Sequence, residues 1–176
     1  VNMVAERFGR IDILHNNAAT KTESLESFFK PFEEYNLDTW REIMSVNVDA
    51  MFLMAQAVGN VMLKDQKGGS IVQTASIYGM VGADNRIYEG SEYLGTAINT
   101  PAAYATSKAA VIGLTKYLAT YWGNKGIRVN SLSPGGVESG QNDVFKKLYS
   151  AKVPMRRMAE LDEMESALLF LASDAS

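Results

Sequence analysis

Residues 102–136 read AAYATSKAAVIGLTKYLATYWGNKGIRVNSLSPGG. Ala102–Trp122 has the pattern of a long helix, with Val111, Leu114, Leu118 and Tyr121 on one stripe. Gly123 and Gly126 stop it, and Ile127–Leu132 follows as a β-rich run. Pro134-Gly135-Gly136 then turns the chain. Working outward, the same unit recurs. Asp38 is expected to cap a helix with apolar residues Trp40, Ile43, Met44, Val48, Met51, Phe52, Ala55 and Val58 at helical spacing. Lys67-Gly68-Gly69 is a turn and Ser70–Ala75 a second strand. Upstream, Val4, Ala5 and Phe8 mark a helix that Gly9 ends, and Ile11–His15 is a mostly buried strand. Thr20–Asn36 and Ile77–Pro101 have little periodicity and are expected as loops, the first with a short helix. Gln141–Ala159 is polar and partly helical, and Asp162 with Glu165 makes a capping box for a last helix through Leu171. Helices alternating with strands point to an α/β fold: a parallel, doubly wound sheet with helices on both faces, in a single domain.

Composition narrows the function. The 176 residues are 47% hydrophobic and 21% charged, which suits a globular core and not a disordered chain. The net charge of −3 and the lack of a dense basic run argue against a nucleic-acid partner. The absence of cysteine excludes a disulfide scaffold and a thiolate metal site, and His15 as sole histidine excludes a multi-histidine one, so no metal is expected. No uninterrupted apolar run approaches the ~18 residues of a membrane span and Val1–Arg10 does not read as a signal peptide, so no membrane and a cytoplasmic location are expected. Because the chain starts at Val1 within a helix and ends at Ser176 after another, both ends read as truncated.

Several residues could do chemistry. Tyr104 and Lys108 are four apart, on one helix face. A free phenol with a pKa near ~10 is a poor base at neutral pH. An ammonium close by favours the phenolate, and such a tyrosine can exchange a proton with a substrate oxygen. By itself the pair also suits a solvated helix face. Ser76 ends a strand, where open α/β sheets hold ligands, though a serine there also starts turns. Asn47 is a polar residue within a helix, able to bond a backbone group or a water. Asn16-Asn17-Ala18-Ala19 at a strand end could tie strands together or let a ligand approach.

Taken in order, these elements resemble the classical short-chain dehydrogenases/reductases. The resemblance rests on Asp12–Ala19, Asn47-Val48, Ser70-Ile71-Val72 leading to Ser76 and Gly79, Tyr104-Ala105-Thr106-Ser107-Lys108, Ile127–Gly135 and Phe170–Asp174. It implies a Rossmann-type sheet and NAD- or NADP-dependent interconversion of a secondary alcohol and a ketone, on a 3-oxoacyl thioester or a sugar or polyol. By position, Tyr104 is the implied acid/base. Lys108 would favour its phenolate and hold the nicotinamide ribose, Ser76 would orient the substrate oxygen, and Asn47 would anchor a relay water. Asn17, Ala18, Pro134, Gly135, Val137 and Ser139 are the further implied cofactor contacts. The family also pairs into dimers or tetramers, through helices matching Asp38–Leu63 and Ala102–Trp122. Two other readings are a catalytically silent Rossmann-type binding module and a sugar-nucleotide epimerase or dehydratase, which uses a related Tyr-x-x-x-Lys pair.

Three departures stand out. Ala19 replaces the glycine of the family's Asn-Asn-Ala-Gly pattern. The family's glycine-rich phosphate loop has no counterpart near the start, so the chain matches the middle and carboxyl-side part of the domain. The stretch from about Gly82 to Thr100 is longer than usual, and its Arg86, Tyr88, Glu89, Glu92 and Tyr93 are expected either near a polar, sugar-like substrate or on a surface loop or subunit contact.

Overall fold

The computed structural model describes residues 1–176. In chain order the main elements are α1 (Asn2–Phe8), β1 (Ile13–Asn16), α2 (Leu25–Phe28), α3 (Leu37–Met44), α4 (Met51–Asp65), β2 (Gly69–Thr74), β3 (Glu92–Tyr93), β4 (Thr96–Ala97), α5 (Ala102–Trp122), β5 (Ile127–Leu132), α6 (Asp143–Lys152) and α7 (Glu163–Ala172). The main sheet has the order β1-β2-β5 and every pairing is parallel. Its register aligns Asn16 with Gln73 and Gln73 with Ser131, so the carboxyl ends of the three strands lie side by side.

Side chains alternate across a strand, so β2 and β5 each have two faces to cover. Ile71, Ile127 and Val129 meet Ala55, Val58 and Met62 of α4 and Leu118 and Trp122 of α5, which form the main core. Ser70 and Arg128 point the other way. There the Ser70 hydroxyl donates to the Leu171 carbonyl at 2.8 Å, and the Arg128 guanidinium donates to Leu171 and Ser173 carbonyls at 3.1 and 2.7 Å. Arg128 thereby satisfies the open carbonyl end of α7 and ties it to the second face. The expected doubly wound, α/β arrangement is present.

One buried polar chain crosses the core. Gln73 is fully buried, and each end of its amide has a partner, as burial requires. Its Oε1 accepts from Asn16 Nδ2 at 3.3 Å and its Nε2 donates to Thr115 Oγ1 at 3.1 Å. Asn16 Nδ2 also donates to the Met51 carbonyl at 2.9 Å. Of the two uses open to the Asn-rich strand end, Asn16 takes the structural one, joining β1, β2, α4 and α5.

Several local expectations are corrected. Asn36, not Asp38, caps α3, its Oδ1 accepting from the Asp38 amide at 2.7 Å. The capping box at Asp162 does not form. Glu163 instead accepts from the Glu160 amide and from the Arg157 fork, which holds its carboxyl down to about 2. Residues 77–101 are not a bare loop: they hold two short 3₁₀ turns and the β3–β4 hairpin. Residues 37–65 form one helical run, long and apolar enough by length and composition to cross a membrane. Its apolar residues are interleaved with polar ones, and here Ala55, Val58 and Met62 pack on the sheet while Met51 packs against Ala75 and Val111. Finally, α1 forms and stops at Gly9 as expected, but none of its residues is buried, and β1, expected to be mostly buried, buries only Asn16 because it is an edge strand.

Candidate active site

The carboxyl ends of β2 and β5 open onto a cleft of about 740 Å³. Ser76, Tyr104, Gly135, Val137 and Ser139 all line it. This is the crevice in which open parallel sheets bind ligands. Much of the wall is aromatic, including Phe28, Phe29, Tyr78, Tyr88, Phe145 and Tyr149.

Tyr104 sits in the first turn of α5, beginning just after Pro101. Its ring packs on the cluster of Phe28, Ile43 and Ala103, which fixes the direction of the side chain. One turn on, Lys108 is buried and its Nζ donates to the Thr74 carbonyl at 2.9 Å, at the end of β2. The ammonium lies 5.8 Å from the centre of the Tyr104 ring. Burial pushes the Lys108 pKa down, because a low-dielectric site disfavours the charged form. Two other cleft phenols are driven the opposite way. Tyr78 is raised by burial first and then by its neighbour Tyr88, and Tyr88 is raised by burial. Both therefore stay neutral and are unsuited to act as bases.

Ser76 plays both parts open to it. Its hydroxyl starts the turn over Ile77–Gly79 by accepting from the Tyr78 amide at 3.2 Å, and the residue lines the cleft. The turn is held from two sides. The Ile77 amide donates to the Pro134 carbonyl at 3.1 Å, joining it to the bend after β5. Gly79 presses directly on α5, where a Cβ would come within 2.6 Å of the Lys108 carbonyl carbon and 2.8 Å of the Ala109 nitrogen. Backbone cannot yield as a flexible side chain can. Gly79→Ala is therefore expected to cost ~1–3 kcal/mol and to move Ser76 away from Tyr104. A lowered melting temperature together with reduced turnover in the full protein is the expected result; wild-type behaviour in both would refute this account of the turn.

Asn47 is buried and does not line the cleft. It lies in a π-helical segment, Ser45–Ala50, inserted between α3 and α4, a distortion often found at functional sites. Its Oδ1 accepts from the Thr20 amide at 2.8 Å, and its Nδ2 donates to Ser107 Oγ at 3.3 Å. Ser107 in turn donates to the Tyr104 carbonyl at 2.8 Å. Asn47 is thus linked through the protein to the turn that carries Tyr104. Asn17 and Ala18 are exposed beyond β1 and lie outside the cleft lining, although Ala19 and Thr20 line it. Pro134 acts through its carbonyl, as described. Val137 and Ser139 are braced by Gln141, whose Nε2 donates to the Val137 carbonyl at 3.0 Å and whose Oε1 accepts from the Ser139 amide at 2.7 Å.

Of the long segment after Ser76, Tyr88, Glu92 and Tyr93 reach the cleft, but Arg86 and Glu89 do not line it. Arg86 is engaged in a fork to Asp84, at 2.8 and 2.7 Å. Residues overlooked in the sequence include Thr74, which holds Lys108 by its carbonyl, and Tyr149, whose hydroxyl accepts from the Gly136 amide. A backbone carbonyl has no sequence signal, and Tyr149 resembles any other apolar residue of an amphipathic helix.

A family profile described as enoyl-(acyl carrier protein) reductase matches residues 1–176. The chain is 37% identical over 182 residues to D-threitol dehydrogenase of Mycolicibacterium smegmatis, covering 98% of this chain and 60% of that protein. It is 36% identical over 176 residues to trans-4-hydroxycyclohexanecarboxylate dehydrogenase of Sinomonas cyclohexanicum, covering all of this chain and 59% of that one. A crystal structure of a short chain dehydrogenase from Leptospira borgpetersenii with bound NAD+ superimposes with a TM-score of 0.86 at 34% identity, over 99% of this chain and 63% of the other. The chain spans about three fifths of the length of the curated relatives it matches.

Proposed function

Since the chain belongs to the classical short-chain dehydrogenase/reductase family, we propose that the protein containing it is an NAD(P)-dependent oxidoreductase that interconverts a secondary alcohol and a ketone. The supporting observation is the cleft shared by Ser76 and Tyr104, with the Lys108 ammonium one helical turn behind the phenol. In this reading Tyr104 passes a proton to or from the substrate oxygen. Ser76 donates a hydrogen bond to the same oxygen and fixes its position. Lys108, anchored on Thr74, favours the phenolate electrostatically. Asn47 acts from behind, holding the first turn of α5 through Ser107 and serving the relay.

The residues present suit the nicotinamide end of a dinucleotide. The bend Pro134-Gly135-Gly136 leaves the Gly135 backbone exposed beside the cleft, which allows the close approach that a flat ring needs. Gly135, Val137 and Ser139 would flank that ring, Lys108 would reach its ribose hydroxyls, and Asn17 and Ala18 would border the groove beyond β1. When bound, the nicotinamide supplies or accepts the hydride. We also propose that the chain is the middle and carboxyl-side part of the Rossmann domain. The free edge of β1, where Ile13 is half exposed, suits further strands of the whole protein, since unprotected edges are otherwise aggregation-prone. A cytoplasmic dimer or tetramer completes the reading. The pairing is supported by the exposed Phe52, Leu53 and Met54 on α4 and by the stacked, exposed Tyr117 and Tyr121 on α5.

The proposal is tested with the full protein, NAD+ and NADP+ offered separately, and a panel of secondary alcohols followed by nicotinamide absorbance. Turnover with at least one pair is expected. Tight cofactor binding without turnover on any alcohol would favour a silent binding module, and an epimerised or dehydrated product without net cofactor reduction would favour the epimerase reading.

A further inference from the structure

The β3–β4 hairpin breaks a backbone rule at the mouth of the cleft. Its two central residues are Leu94 and Gly95, with φ of +49° and +78°. Two-residue turns with both φ positive favour Asn, Asp or Gly at the first position. Leucine fits there poorly, because its Cβ crowds the following carbonyl. Its side chain does not recover that cost by packing: Leu94 is 80% exposed, though it lines the cleft.

The surroundings hold the turn in place. Asn142 Nδ2, at the cap of α6, donates to the Glu92 carbonyl at 2.8 Å. The Lys21 ammonium lies 4.4 Å from the centre of the Tyr93 ring, linking the hairpin to the segment that follows β1. A strained backbone held by fixed neighbours, with an apolar side chain poised over a cleft, suggests a residue retained for what it touches when the cleft is filled.

The wall of the cleft matches that side chain. Tyr88 stacks on Phe145 with centroids 5.5 Å apart, and Tyr149, Ile98 and Met158 continue the apolar surface. Few polar atoms interrupt this surface: Asn99 Nδ2 donates to the Phe29 carbonyl at 2.7 Å and Asn142 Nδ2 to the hairpin, while Asn99 Oδ1 is a buried acceptor without a partner, enough for one hydroxyl and not for several. A polyol entering here would lose water from several hydroxyls against apolar groups, whereas an apolar skeleton would bury surface on both sides.

Building on the oxidoreductase reading above, we propose that Leu94 is a specificity-determining residue. It closes over the apolar body of the substrate, so that the protein takes a secondary alcohol or ketone on an apolar skeleton, such as an alicyclic ring, in preference to a polyol.

The test compares the full protein with its Leu94→Asn and Leu94→Met variants, using 4-methylcyclohexanol and threitol as probes. Turnover is read as kcat/KM for each probe, and binding is read independently by calorimetry. The wild type is expected to favour the cyclohexanol. Leu94→Asn relieves the turn, so its melting temperature should hold or rise, while its preference for the cyclohexanol should fall by about tenfold, the scale of losing one apolar contact. Leu94→Met should retain the preference. An unchanged ratio in Leu94→Asn would overturn the proposal, as would equal losses on both probes. A change of oligomeric state with an unchanged ratio would also overturn it, by assigning Leu94 to a contact between copies. If neither alcohol turned over with either nicotinamide, the calorimetric preference would still decide the role of Leu94, while the oxidoreductase reading stands or falls on the full panel of alcohols.

Discussion

Replacing Tyr104 by phenylalanine is expected to lower kcat in the full protein by about 10²–10⁴, the range that general acid–base groups contribute. Only the hydroxyl is removed. The ring keeps its packing against Phe28, Ile43 and Ala103, so the melting temperature should stay close to wild type and KM should change little. That combination separates loss of proton transfer from loss of structure. Tyr78 and Tyr88 are poor substitutes, because burial raises the pKa of each above the ordinary phenol value. Steady-state kinetics beside a thermal melt checks the result; a variant with near wild-type kcat would mean that another group moves the proton.

Lys108→Met should give the second large effect, and in a way that distinguishes charge from packing. Methionine has a similar length and no charge. Lys108 is buried, and its pKa is pushed down from 10.5 by that burial. Between the lowered folded value and 10.5 the unfolded chain binds more protons at this site than the folded one. Stability from this group therefore rises with pH across that window. The penalty for burying the charge is in force below the folded value and is relieved as pH rises through it. Lys108→Met removes the penalty along with the bond to the Thr74 carbonyl, so its stability at neutral pH should hold or increase and the alkaline rise should vanish. Activity should nevertheless fall on the order of 10²-fold, with a changed pH profile of kcat/KM. Melts across a pH series and kinetics across the same series test both halves. A strongly destabilised variant whose remaining folded fraction turns over normally would make Lys108 a packing residue.

Much of this arrangement is legible in the sequence. The three main strands stand out because each is a short apolar run bounded by a glycine-bearing turn, and the spacing of Tyr104 and Lys108 puts them on one face of a helix. What escapes the sequence depends on register and on competition between neighbours. Gln73 looks like a misplaced polar residue until β1 brings Asn16 opposite it and α5 brings Thr115 above it. The β3–β4 hairpin has strands of two residues, too short for any alternation to show. Asp38 and Asn36 both suit a helix cap, and which one wins depends on where the preceding chain enters. Asp162 already has helical φ and ψ instead of the extended backbone a capping side chain needs, and Glu163 takes over by accepting from the Glu160 amide. The polar residues of the 82–100 stretch divide by geometry: Glu92 reaches the cleft, while Arg86 is claimed by Asp84 two residues away.

The central claim is that Ser76 and Tyr104 act together on one substrate oxygen. A double-mutant cycle in the full protein measures this directly, comparing kcat/KM for Ser76→Ala, Tyr104→Phe and the pair together. Groups acting as a unit lose most of their effect with the first deletion, so the double variant is expected to lie within about threefold of Tyr104→Phe alone. Multiplicative losses, or a Ser76→Ala variant as active as wild type, would contradict the account.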